Sequence, residues 1–457
     1  MKGCRLFYKS HLMMDDRKEM IMACCRPAKI LLPKEGTDLA KWAVVACDQF
    51  TSEPEYWKEA DELVGDAPST LRITLPEVYL EEEGVEERVA KINKTMAEYL
   101  DSGVLEELPA GMMLVDRDTG GPCGRKGLVL AFDLEAYDYK AGSTSLIRPT
   151  EKTVVERIPP RLAVRRDALV ELPHIMLLID DPERTVIEPL YEKRDAFEKK
   201  YSVDLMMNGG HIDGWFIPEG EATDAVIGAL DALNAPERFR ERYGLTEDKP
   251  LLPFATGDGN HSMATAKAAW EEIKKDLTPE EQAVHPARYV LAELVNIHDE
   301  SLEIEAIYRV LFGVDMADVC HAAKAFFEAH GATFEEVEGV TPADAAEGEQ
   351  LFPWYAGEKS GMACVKNSPW ALPVATLQAF LDDYLAAHPE AKIDYIHGVD
   401  VLKKLSEEPG NMGFWLEDPK KSDLFRGVIM DGVLPRKTFS MGEAREKRYY
   451  MEAKKIK

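Results

Sequence analysis

The stretch from Leu251 to Lys275 constrains this chain most. Leu251 to Thr256 is apolar and reads as a strand, Thr256-Gly257-Asp258-Gly259-Asn260-His261-Ser262 follows, and helical spacing then runs from Ser262 to Lys275. A strand that ends in a glycine turn and opens a helix commits the fold to α and β elements in direct succession. Pro253 places the strand near a sheet edge, because proline cannot donate to a ladder. Gly257 and Gly259 permit positive φ and let the backbone approach a ligand. The free amides and the dipole of a helix start favour an anion, phosphate above all. Asp258 suits a metal ion or a hydroxyl, and His261 suits a phosphoryl oxygen or a proton transfer. The plain alternative is a strand-to-helix turn with Asn260 or Ser262 as N-cap. Asp, Asn and His packed into one turn favour function. The loop is neither GxxxxGK followed by Ser or Thr nor GxGxxG, so it is not a Walker loop or a dinucleotide fingerprint.

Elsewhere strands and helices mix without a regular βαβ rhythm. Strands are expected at Lys41 to Cys47, Leu71 to Leu75, Met112 to Val115, Leu128 to Phe132, Ile175 to Ile179 and Tyr289 to Val295. Val203 to Met207 and His211 to Ile217 read as a strand pair about Asn208-Gly209-Gly210. Helices are expected after Ser52 as N-cap, over Val85 to Leu100, from Pro160, and over Met316 to His330 and Val374 to His388. Short strands fit Leu351 to Tyr355 and Ala363 to Lys366. The pattern predicts an α+β fold with a mixed sheet rather than a doubly wound parallel one.

At 457 residues the chain is too long for one ordinary core. The reading divides it into an N-terminal extension over 1–27, a main region over 28–310 and a C-terminal α/β region over 311–457. Seven scattered cysteines without a CxxC pair fit a reducing cytoplasm and argue against a cysteine zinc site. No run of about 18 apolar residues suggests a membrane span. Lys plus Arg is 55 against 83 Asp plus Glu, a net charge of -28. Such a field repels nucleic acid and anionic membranes. A phosphate site here therefore needs a local basic patch, a divalent cation, or both.

Three further places bear on chemistry. Asp48 ends the first expected strand, where a general base is common and a turn-forming Asp equally so. Arg148 and Lys152 lie in a loop with Pro149 and Thr150 that suits phosphate contacts, whereas Arg165 and Arg166 read as a salt-bridged surface. A tight hairpin explains Gly209 and Gly210, and His211 beside them is a weaker candidate for lining a site. No HExxH or similar spacing favours zinc; Mg²⁺ arriving with phosphate fits better.

The ordered set Trp42 to Trp57, Leu146 to Thr153, His174 to Pro182 and Thr256 to Ala266 resembles domain-of-unknown-function family 1015. That family is similar to the ParB/sulfiredoxin-like superfamily; its usual turn reads DGHHR, and the free-serine kinase SerK carries a similar turn. Asp258, Gly259 and His261 match that turn, Asn260 stands where the first His falls, and Ser262 replaces the Arg. The resemblance implies a small-molecule kinase that phosphorylates the hydroxyl of free L-serine, with ATP, ADP or pyrophosphate as donor and Mg²⁺ as cofactor. Asp48 would be the base, and Asp258 would bind Mg²⁺ or the amino acid. Gly257, Gly259 and His261 would cradle the phosphoryl group, with Asn260 and Ser262 beside them. Arg148 or Lys152 would replace the lost Arg. The alternative is a nucleotide- or phosphate-sensing protein without turnover. A ParB-like nucleic-acid protein conflicts with the charge.

Overall fold

The computed structural model describes residues 24–435 and 437–457, so most of the expected N-terminal extension (residues 1–23) lies outside the described residues. The fold is mixed α+β, and the chain forms two compact units. One comprises Pro149 and the described residues before it, Thr153–Leu302 and Gly442–Lys457; the other comprises Thr150–Lys152 and Glu303–Met441.

The first unit is built on a ten-stranded sheet. Its strands are β1 (Cys25–Arg26), β2 (Ala28–Pro33), β3 (Leu105–Asp118), β4 (Arg125–Asp133), β5 (Ile147–Pro149), β7 (Met176–Ile179), β8 (Glu198–Asp204), β9 (His211–Pro218), β10 (Phe254–Asp258) and β11 (Tyr289–Asn296). A short β6 (Val170–Glu171) pairs outside this sheet with the C-terminal strand Lys454–Lys455. The main order is β5-β10-β7-β11-β4-β3-β9-β8, with β1 on β4 and β2 on β3. Only β10 with β5 and β11 with β7 run parallel; the remaining pairs are antiparallel. This is the mixed sheet that the irregular element rhythm predicts. The centre is nearly continuous apolar sequence: Met112–Val115, Leu128–Phe132 and Leu177–Ile179 are all buried.

Some expectations fail locally. Lys41–Cys47 is not a strand. Asp38 caps a short helix, Leu39–Trp42, and the following residues run extended, with one bridge from Val45 to Tyr449. Their amides are satisfied by other groups: Val44 N–H donates to Thr70 Oγ1 and Ala46 N–H to Arg448 O. The segment is apolar because it is buried, not because it joins a ladder. Leu71–Leu75 begins instead within a 3₁₀ turn, Thr70–Arg72, capped by Ser69. Pro253 falls just before β10, which pairs on both sides and lies next to the edge strand β5, near the sheet edge as expected.

The helix Ile158–Arg166 starts with prolines in its first turn and packs on the helix Asn260–Ile273. The second unit holds a six-stranded antiparallel sheet and the helices Met316–Ala329 and Pro373–Ala387. Among the described residues, no helix is long and apolar enough to cross a membrane.

Candidate active site

β10 delivers Asp258 to the start of the helix Asn260–Ile273, and Gly259 makes the turn between them. Gly259 has φ +74°, and a Cβ there would stand 3.0 Å from Ile175 Cα. Only glycine meets both demands without strain. Gly257 has a different role. It is not in the positive-φ region and lies where β10 shifts register against β7, between Thr256 and Asp258.

Asp258 Oδ1 accepts the Gly259 amide at 2.8 Å, and Oδ2 lies 3.2 Å from Lys447 Nζ. Burial pushes this carboxyl up, but Lys447, the Gly259 amide and His174 outweigh burial and hold it below the usual range. Met263 N–H makes the first backbone bond of the helix, to Gly259 O at 2.9 Å. The amides of Asn260, His261 and Ser262 precede that bond and have no carbonyl one turn back within the helix. Asn260 Oδ1 is buried and has no hydrogen-bond partner among the described residues.

His261 turns towards Val154, whose amide donates to its Nε2 at 3.4 Å. Burial, then the charges of Arg161 and Arg157, lower its pKa to about 4, against a smaller opposing effect of Asp48. The ring is therefore neutral at pH 7, and in this geometry its proton sits on Nδ1. Ser262 Oγ lies 2.6 Å from His174 Nε2, and His174 Nδ1 lies 2.7 Å from the Tyr450 hydroxyl. The Tyr450 oxygen also accepts the Cys47 amide at 3.0 Å. Burial, with Cys47 and Asp48 beside it, pushes the Tyr450 hydroxyl far up, so it stays protonated.

Asp48 reaches the same cluster from the segment after Val45. Its Oδ2 lies 3.8 Å from His174 Nε2, and its Oδ1 accepts Gln49 Nε2 at 2.9 Å. Next to this group a cleft of about 150 Å³ opens. Its polar wall includes Ser262, His174, Tyr450 and the Arg161–Glu77 ion pair; Ile73, Leu75, Ile92, Met96 and Leu291 line the rest.

The structure thus brings together Asp48, Asp258, Gly259, Asn260, His261 and Ser262. It does not bring Arg148 to them. That guanidinium is buried against the carbonyls of Ser143, Pro250 and Leu251, which leaves it tying down a loop. Lys152 belongs to the second unit, where its amide donates to Leu434 O. His211 sits on the outer hairpin, between Asp204 at 2.6 Å and Ser202 at 3.1 Å. Among the described residues, no three His, Cys, Asp or Glu side chains gather to hold a metal ion.

Three central residues went unread in the sequence: His174, Lys447 and Tyr450. His174 is the lone polar residue at the head of the apolar run His174–Ile179. Lys447 and Tyr450 lie in the charged and aromatic stretch Glu446–Tyr450, beyond any local pattern that ties them to β10.

A family model described as a protein of unknown function (DUF1015) matches residues 27–384. No curated protein matches the chain. Among solved structures, a free serine kinase variant in complex with AMP is 11% identical, with 70% of this chain and 95% of that chain covered and a TM-score of 0.37. A conserved hypothetical protein from Pyrococcus furiosus is 12% identical, covering 72% and 95%, with a TM-score of 0.34. SbnI from Staphylococcus aureus, truncated at its C-terminus, is 7% identical, covering 70% and 85%, with a TM-score of 0.35. The chain belongs to the DUF1015 family.

Proposed function

We propose that this DUF1015 protein is a phosphotransferase that moves a phosphoryl group to the hydroxyl of free L-serine, giving O-phosphoserine. The observation that carries the reading is the grouping of Asp48 and Asp258 about His174 at a helix start, with Lys447 on Asp258. Phosphoryl transfer needs a base for the attacking hydroxyl and fixed positive charge where negative charge accumulates. Asp48 is the base. The amides of Asn260, His261 and Ser262 face the phosphoryl oxygens, and Lys447 supplies the cation that the usual turn carries as Arg. Asp258 orients Lys447 and contacts the amino acid or the metal.

Mg²⁺ fits as an ion that arrives with the donor. It commonly takes one or two carboxylates, with phosphate oxygens and water completing its shell. Asp258 and Asp48 are the carboxylates in reach of such a complex. The apolar cleft beside Ser262 suits a nucleobase, which favours ATP or ADP over pyrophosphate. We infer a ParB/sulfiredoxin-like core for the region 28–310 as part of the same reading.

The test is to incubate the protein with Mg²⁺ and L-serine, offering ATP, ADP and pyrophosphate separately, and to measure O-phosphoserine. The expected result is product with a nucleotide donor. No product with any donor, across a panel of hydroxyl amino acids, ends the kinase reading. Saturable nucleotide binding without product would instead support a sensor, the role that the Asn260 and Ser262 replacements would suit.

A further inference from the structure

We propose that Ser262 is a covalent nucleophile that receives the phosphoryl group from the donor before the acceptor does. The inference rests on the phosphotransferase reading and adds an intermediate to it. A serine in the first turn of a helix has ordinary uses for its hydroxyl, such as capping or back-bonding to a carbonyl one turn earlier. Thr265 of the same helix makes that back-bond, to His261 O at 2.7 Å, as Thr95 does within the helix Val85–Asp101 and Ser102 at its C-cap. Ser262 does not. Its hydroxyl points across to His174 on the entry to β7.

The partner is set up as a base. Tyr450 lies at hydrogen-bond distance from Nδ1 and Ser262 from Nε2; in the proposed state His174 carries its proton on Nδ1, donates to the Tyr450 oxygen and turns the Nε2 lone pair to Ser262. Tyr450 is itself fixed by the Cys47 amide, and its ring meets the imidazole edge-on, with centroids 5.6 Å apart. A nucleophile, a base and a third group that orients the base form the general arrangement of an activated hydroxyl. A mere tether between helix and strand would need neither the Asp48 carboxylate 3.8 Å from His174 Nε2 nor an opening to the cleft, and the Ser262–His174 pair has both.

The chemistry balances in two steps. Ser262 Oγ attacks the terminal phosphorus and its proton passes to His174 Nε2. The Oγ–P bond forms as the bond to the leaving ADP, AMP or phosphate breaks. The acceptor hydroxyl then attacks the same phosphorus and gives its proton to Asp48. The Oγ–P bond breaks, and His174 returns the proton to Ser262.

Two measurements on the full chain test this. The first offers Mg²⁺ and each donor without an acceptor, then maps phosphorylation by mass spectrometry and chases with L-serine. The expected result is one phosphoryl group on Ser262 that discharges as O-phosphoserine. The second uses a fluorophosphonate, in which Ser262 Oγ displaces fluoride without any donor, so it reads the nucleophile in wild-type protein. Labelling should map to Ser262 and slow about 100-fold in His174→Gln. If O-phosphoserine forms while Ser262 carries no phosphate, or forms at the wild-type rate in Ser262→Ala, transfer is direct and the covalent role is overturned while the kinase reading stands. A phosphorylated Ser262 that does not discharge to serine supports the nucleophile and removes serine as acceptor. Absence of product, phosphoprotein and fluorophosphonate adduct overturns both.

Discussion

Lys447, from the C-terminal segment, lies 3.2 Å from the carboxylate of Asp258 at the end of β10. Burial alone would raise the Asp258 carboxyl; Lys447 is the largest of the effects that reverse it. Lys447→Met should therefore raise the Asp258 pKa and cost about 100-fold in kcat/KM, the scale for one lost electrostatic contact to a transition state. Lys447→Arg should recover the carboxyl shift but only part of the turnover, because a planar fork fits a point-charge site poorly. Unchanged turnover in Lys447→Met would take this cation out of the site.

Asp48 is expected to act in chemistry rather than in folding. Its carboxylate is partly exposed and accepts a hydrogen bond from its neighbour Gln49. Asp48→Asn should lower kcat by about 10²- to 10⁴-fold while the thermal midpoint barely moves. A variant that keeps wild-type kcat would leave the acceptor hydroxyl without its assigned base.

The sequence carried the parts of this site that lie close together in the chain. The turn Asp258–Ser262 was legible because glycine, acid, amide and imidazole in a strand-to-helix junction have few structural uses in common. Asp48 was legible as an acid after a buried run, although that run proved extended and not a strand. Its amides pair with Thr70 and Arg448, partners that periodicity cannot reveal. Arg148 misled for the same reason: an arginine beside proline in a loop reads as a ligand contact, and only the fold shows three backbone carbonyls around it. Lys447 and Tyr450 reach the turn through the tertiary path of the last segment, which no local spacing encodes.

Gly259 allows a comparison of two costs. Gly259→Ala places an L-residue at φ +74° and sets its Cβ 3.0 Å from Ile175 Cα. Gly244, after the helix Pro236–Tyr243, has φ +61° with open space around it. Gly244→Ala should cost about 1 kcal/mol from backbone strain alone. Gly259→Ala should cost more, since backbone must shift as well. Denaturant unfolding of both variants reads the difference, and equal losses would mean that the backbone at Ile175, before β7, gives way freely.

His261 links the site to pH. Its pKa falls from 6.5 to about 4 on folding, through burial and the charges of Arg161 and Arg157. The unfolded chain therefore binds the proton more tightly, and protonation favours unfolding. Stability from this residue is complete above about pH 6.5 and declines as the pH falls towards 4. His261→Gln should flatten the loss of thermal midpoint across that window. An unaltered slope would place the acid-sensitive group elsewhere.

Arg448 supports the site from below. Its guanidinium, fully buried, bridges Glu293 on β11 and Glu452, and Tyr201 donates to Glu452. Burial pushes Glu293 up, but Arg448 and Arg125 outweigh it and hold the carboxyl below the usual range. Glu293 therefore contributes stability above its unfolded pKa, and that contribution is lost as pH falls through its depressed folded value. Arg448 also anchors the segment that presents Lys447 and Tyr450, since its backbone carbonyl accepts the Ala46 amide and its Nε donates to Pro173 O, next to His174. Arg448→Met leaves two buried carboxylates without their main cation, a loss of about 3–5 kcal/mol. The double variant Arg448→Met with Glu293→Gln should be less unstable than the two single losses added together, because one unpaired charge is gone. Additive losses by denaturant unfolding would show that the two residues act independently. The single variant should also lose activity at temperatures where it remains folded, because Lys447 and Tyr450 are no longer held against Asp258 and His174.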